Sequence, residues 1–245
     1  LRSSLLVVKL FFYPFFRLPR PLMFALKHNL IPQNLIQMIK TATILLSALA
    51  LVASLPADHH ASGAASFDFK DPKGVNNVTF TLDAPLESIS GSASGISGTV
   101  SFDPMHPEAT KGTIVVDAAS LTVTNNKMQE HMHGDGWLDT ANHGAITFEL
   151  KEISQVEKSG MTYEAHAMGT FTLKGVSKDI TVPIKLTYLP GRLSERLRDV
   201  EGDLLVIRAT FSIDRSEFGI KPGQNTDKVS ENIELKLSIA GASPR

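Results

Sequence analysis

Hydrophobic residues fall at every second position along most of this chain. Val78, Phe80 and Leu82 alternate with Thr79 and Thr81, Val100 and Phe102 with Thr99 and Ser101, and Ile146, Phe148 and Leu150 with Thr147, Glu149 and Lys151. The alternation is longest where Ile180, Val182, Ile184, Leu186 and Tyr188 oppose Thr181, Pro183, Lys185 and Thr187, and where Ile233, Leu235, Leu237 and Ile239 oppose Asn232, Glu234, Lys236 and Ser238. Successive side chains of a strand point to opposite faces, so a period of two predicts strands with one covered face and one wet face. Gly, Pro, Asn and Asp separate the segments. Strands covered on one side belong to antiparallel sheets, which points to a barrel or sandwich rather than a parallel α/β sheet. Pro183, on the outward face, predicts a sheet edge or a bulge.

Little else competes with this all-β reading. Residues 126–138 predict one short helical segment, with Met128, Met132 and Leu138 at loosely helical spacing and Gly134 and Gly136 limiting it to a turn or two. Residues 190–202 are charge-mixed, with Arg192, Glu195, Arg196, Arg198, Asp199 and Glu201, and read as a solvated connection. The run Gly91-Ser92-Ala93-Ser94-Gly95 reads as a flexible turn or strand edge, and no internal repeat has a solenoid or propeller period.

Between Tyr163 and Leu173 the inward set is Tyr163, Ala165, Ala167, Gly169, Phe171 and Leu173, with Glu164, His166, Met168, Thr170 and Thr172 outside. Three consecutive small inward positions leave volume. A barrel of about eight strands is just wide enough to be filled by side chains or to hold one small ligand, so these positions favour a cavity. The alternative is that Phe80, Phe102, Phe148 or Phe211 from neighbouring strands fills the gap.

Charge divides the chain. Residues 1–57 contain no Asp or Glu but carry Arg2, Lys9, Arg17, Arg20, Lys27 and Lys40. Within them, Met38-Ile39-Lys40 reads as a positive n-region, 42–52 as an apolar h-region and 54–57 as a small-residue cleavage zone, which together predict an export signal over 38–57. The apolar run is about half the roughly 20 residues of a membrane-spanning helix. Residues 1–37, aromatic and punctuated by proline, match no globular element; they are read as a doubtful upstream segment, with Met38 as the expected start. Residues 58–66 are expected to be disordered, and 67–241 to form the barrel domain. Beyond residue 57, 18 of the 24 Lys and Arg remain against all 25 Asp and Glu, a net charge of −7 that argues against nucleic acid. With no cysteine there are no disulfides and no lipid-acceptor thiol, so the expectation is a soluble periplasmic or secreted protein without a stable membrane anchor.

No complete catalytic set is present: there is no G-x-S-x-G, no P-loop, no G-x-G-x-x-G and no nucleophilic cysteine. Neither a catalytic residue nor a cofactor is therefore expected. His131 and His133, near Glu130, Asp135 and His143, are the one candidate for metal, because zinc accepts such ligands. A pair at i and i+2 does not converge on a helical turn, and no third ligand can be placed.

The stretch Met168-Gly169-Thr170-Phe171-Thr172-Leu173-Lys174-Gly175-Val176-Ser177-Lys178-Asp179-Ile180 resembles the central signature of the YceI-like polyisoprenoid-binding family, in which a strand G-x-L-T-x-x-G-V-T-K turns tightly into the next. Phe211-Ser212-Ile213-Asp214-Arg215-Ser216-Glu217-Phe218-Gly219-Ile220, the closing strand around 229–237, and the segment 120–148 with Asn126, His131-Met132, Trp137-Leu138-Asp139 and Ile146-Thr147-Phe148 agree with it in order. Two departures stand out: Met128-Gln129 replaces the family's Arg-Asp pair, and His143-Gly144 its Tyr-Pro. The resemblance implies an extended antiparallel lipocalin-like barrel that takes the tail of an isoprenoid quinone, polyprenyl phosphate or other long-chain lipid. It implies a tunnel lined by Phe80, Phe102, Phe148, Phe171, Ile184 and Phe211, with Ala165, Ala167 and Gly169 supplying space and His131 and Trp137 near the mouth. A carrier or reservoir is the leading function. A metal-binding envelope protein or enzyme using His131 and His133, and a stress-response barrel filled by its own side chains, are the alternatives. Pairing of two barrels into a homodimer is compatible with the sequence.

Overall fold

The computed structural model describes residues 63–245; residues 1–37, read as a doubtful upstream segment, 38–57, expected to be an export signal, and the residues from there to 62 lie outside them. Eleven strands follow in order: β1 (Ala65–Asp68), β2 (Asn77–Asp83), β3 (Ser88–Ala93), β4 (Ile96–Phe102), β5 (Lys111–Asp117), β6 (Thr122–Val123), β7 (Ala145–Ser159), β8 (Thr162–Leu173), β9 (Val176–Leu189), β10 (Gly202–Asp214) and β11 (Asn232–Pro244). One α-helix occurs among the described residues, α1 (Asn126–His133). Eight strands close a ring in the order β1-β4-β5-β7-β8-β9-β10-β11 and back to β1, while β2, β3 and β6 continue from β11 as a flap. Every pairing is antiparallel. The expected all-β, extended antiparallel lipocalin-like barrel with one short helical segment is the observed fold.

Local chemistry accounts for the elements. In β8 the buried residues are Tyr163, Ala165, Ala167, Gly169, Phe171 and Leu173, the alternate set that the period of two requires. The β8–β9 hairpin turns on Lys174 and Gly175, with φ of 50° and 74°, the left-handed pair that matches the twist of the flanking strands. Helix α1 is capped by the Asn125 side chain, which accepts from the Lys127 and Met128 amides, and Gly134 ends it. The β9–β10 ladder runs only over Ile184–Leu189 and Leu204–Ala209. It stops at Pro183, which has no N–H to donate, so the two strands splay towards the β8–β9 turn.

The barrel closes at a seam. Strand β11 pairs with β2 from Glu234 to Ser238 and with β1 at Ala242, which leaves Ala240 facing neither strand. Asn76, only 2 % exposed, fills the missing rung. Its amide nitrogen donates to the Ala240 carbonyl at 3.1 Å and the Phe69 carbonyl at 3.0 Å, and its oxygen accepts from the Ala240 N–H at 2.9 Å. Asp71 organises the loop before it, accepting from the amides of Lys73, Val75 and Asn76 and from the Arg196 guanidinium at 2.8 Å.

Two expectations are corrected here. Residues 190–202 are not simply a solvated connection: Leu193 is completely buried, and Arg196 reaches both Asp71 and Asn76 at the seam. The N-terminal stretch 58–66 is not disordered at its end, because Ala65 and Ser66 pair with Phe102 and Ser101 in β4.

One end of the barrel is packed solid. Phe67, Phe102, Tyr163 and Tyr188 are buried together, with Phe102 ring centroids 5.3 Å from Tyr163 and 5.9 Å from Tyr188. Tyr188 donates to the Asp203 carboxylate at 2.8 Å, and burial together with that partner pushes its phenol up to about 12.

Asn76→Ala leaves two carbonyls and one N–H without these partners at a buried seam, so it is expected to lower stability by roughly 3 kcal/mol or more in urea unfolding; a loss below about 1 kcal/mol would contradict its role. Burial opposes ionisation of Asp71, but three backbone N–H groups and Arg196 hold its carboxyl below the usual 3.8. The stability it supplies is therefore present above that value and fades as pH falls through the lower folded value. Unfolding curves of Asp71→Asn are expected to lack this part of the acid dependence.

Candidate functional site

Beyond the aromatic end, the interior is not filled. A cavity of about 230 Å³ runs between β2, β5, β7, β8, β9, β10 and β11 and is walled almost wholly by apolar atoms. The flap, α1 and the loop after α1 close it on the side where the ring is not hydrogen-bonded: Phe80, Leu82, Ala93 and Leu121 pack against Met132, Leu138 and Ile233.

Phe80, Phe148, Ala167, Phe171, Ile184, Phe211 and Trp137 all line the cavity. Three residues expected in the wall are not among those lining it, nor is His131, expected near the mouth. Phe102 points to the packed end, where Tyr163 and Tyr188 hold it. Ala165 packs on Ile153 in the barrel wall. Gly169 is covered by Phe148, since a Cβ at that position would sit 2.7 Å from the ring's Cζ. His131 is exposed on α1, turned away from the cavity that Met132 faces. The three small positions of β8 thus divide the outcome between the two expectations: an aromatic ring fills the space at Gly169, and Ala167 opens onto the cavity.

The histidines do not converge. His133 sets its Nε2 2.8 Å from the Leu121 carbonyl, and His143 lies against Gly175 with its Nε2 4.0 Å from Asp139. Among the described residues no group of three or more His, Asp or Glu is arranged to hold a metal ion.

The polar feature at the cavity's end is Arg215, which is fully buried. Its five N–H groups donate to five backbone carbonyls: Ser230 at 3.0 Å, Ile220 at 2.6 Å, Lys221 at 2.5 Å, Gln224 at 2.7 Å and Val229 at 3.1 Å. A planar fork with five donors is the side chain suited to gather so many carbonyls. It thereby fixes the 219–231 loop, and the Trp137 ring centroid lies 5.6 Å from its Cζ. Sequence reasoning included Arg215 in a motif without giving it a role; nothing in its neighbours, Asp214 and Ser216, signals burial. Met132 and Leu138 were legible as apolar positions of the helical segment, though not as cavity wall.

A closed antiparallel barrel with an apolar internal cavity defines a lipocalin-like protein. The chain belongs to the YceI-like family, whose domain matches residues 70–240. A UPF0312 protein of Yersinia pestis (strain Pestoides F) is 33% identical over 151 residues, covering 62% of this chain and 72% of the relative. A UPF0312 protein of Ectopseudomonas mendocina (strain ymp) is 27% identical over 151 residues, covering 62% and 73%. Among solved structures, BcnA of Burkholderia cenocepacia superposes with a TM-score of 0.56 at 20% identity, over 67% of this chain and 95% of that one. A polyisoprenoid binding domain from Saccharophagus degradans gives 0.52 at 11% identity, over 74% and 99%. At these identities the structural likeness establishes the fold.

Proposed function

We propose that the chain is an exported soluble carrier or reservoir that holds an isoprenoid or similar long-chain lipid in the barrel cavity. The observation that carries this reading is the cavity's wall: dozens of apolar side chains face a space of about 230 Å³. An apolar cavity of about 150 Å³ already stays dry and takes up benzene, so this one favours a hydrocarbon over water. Each CH₂ transferred from water gains about 0.8 kcal/mol, and a long tail needs few directional contacts. The polyisoprenoid-binding description of the Saccharophagus relative supports the same ligand class. The basic and apolar segment 38–57 supports export to the periplasm or beyond.

Trp137 lines the cavity and is the chain's single tryptophan, so its fluorescence reports occupancy directly. Titration with geranylgeraniol is expected to saturate. Ala167→Phe places a ring in the cavity and is expected to weaken that binding by at least about tenfold with the fold retained. Unchanged affinity in a folded variant would place the ligand elsewhere.

A further inference from the structure

The positive charges around Trp137 have no carboxylate partner among the described residues. Arg215 is buried with every donor bonded, yet all five partners are neutral carbonyls, and among the described residues it makes no ion pair. Hydrogen bonds satisfy its donors without cancelling its charge, and a buried uncompensated charge is costly. Two more cations meet the same loop. The Lys221 ammonium stands 5.2 Å from the Trp137 ring centroid, and a Cβ on Gly136 would lie 3.5 Å from it. The Lys174 ammonium donates to the Asp135 carbonyl at 3.2 Å. Both lysines are half-buried, both have positive φ (41° and 50°), and neither has a carboxylate partner among the described residues. The nearby Glu217 is engaged by Lys178 at 3.9 Å.

Three cations held by neutral groups therefore surround the four residues 134–137, the last of which is a wall of an apolar cavity, and the one carboxylate of that segment, Asp135, is exposed and makes no ion pair with any of the three. An amphiphile whose tail fills the cavity and whose head is anionic would be matched at both ends. We infer that the ligand is an acidic amphiphile, a long-chain carboxylate or phosphate monoester, whose head lies beside Trp137 within reach of Lys221 and Lys174 and in the field of Arg215. This rests on the proposed lipid-binding reading and adds the headgroup class to it. The neutral partners that now occupy the lysines, a ring and a carbonyl, are weaker than a charged oxygen, so an anionic head displaces them readily.

The test is a Trp137 fluorescence titration of the full chain at pH 8 with dodecanoate, dodecyl phosphate, dodecanol and dodecanamide, in low salt and in about 0.5 M NaCl, where the Debye length falls to about 4 Å. The two anions are expected to bind at least about tenfold more tightly than the two neutral chains, with the advantage reduced by salt and cut to below about threefold in a Lys174→Gln, Lys221→Gln double variant. Equal affinity for acid and alcohol overturns the headgroup inference while leaving lipid binding intact. Free inorganic phosphate that competes with the anionic chains but not with the alcohol supports it. No response to any of the four overturns both the inference and the lipid-binding reading.

Discussion

One strand has to serve two partners for this barrel to exist. The sheet needs β11 to pair with β2 at one end and with β1 at the other, and the chain between β1 and β2 must leave the ring at the point of exchange. A backbone cannot supply hydrogen bonds there, and an unpaired buried N–H or C=O costs free energy comparable to a lost hydrogen bond. The Asn76 amide provides both a donor and an acceptor to Ala240 and so stands in for the missing strand. Asp71 and Arg196 hold Asn76 in place from the two loops that flank the seam. Because β1 and β2 diverge there, one end of the barrel closes as a ring and the other is completed by the flap, α1 and the loop after it.

That geometry explains why the interior has two characters. At the ring end, Phe67, Phe102, Tyr163 and Tyr188 meet edge to face or tilted and leave no room. At the other end large rings lie over glycines, Phe80 over Gly91 and Phe148 over Gly169, and both border the cavity. What remains is an apolar space of about 230 Å³, which favours hydrocarbon over water.

The strands, their inward faces and the barrel were legible because they depend on a period of two that survives any tertiary detail. The β8 pattern and the stop at Pro183 are read directly from residue types. The size and place of the cavity were only half legible, because pairing of neighbours decides it: Phe102 and Phe148 look alike in sequence, yet one joins the aromatic end and the other covers a glycine across the strands. Asn76, Arg196 and Arg215 were not legible as structural residues. Asn76 bonds the backbone of Phe69 and Ala240, Arg196 the side chains of Asp71 and Asn76, and Arg215 the carbonyls of five residues between 220 and 230, and a polar residue carries no local sign of such partners. On α1 the side chain that borders the cavity is Met132, while its neighbour His131 is exposed.

The central claim is that the interior is a lipid site rather than a packing defect. Native mass spectrometry of the purified protein, followed by organic extraction and identification of whatever is released, addresses it most directly. The account predicts a near-stoichiometric adduct that extracts as an isoprenoid or other long-chain lipid. A protein that arrives at its bare mass, releases nothing on extraction, and takes up no long-chain lipid on incubation would contradict it.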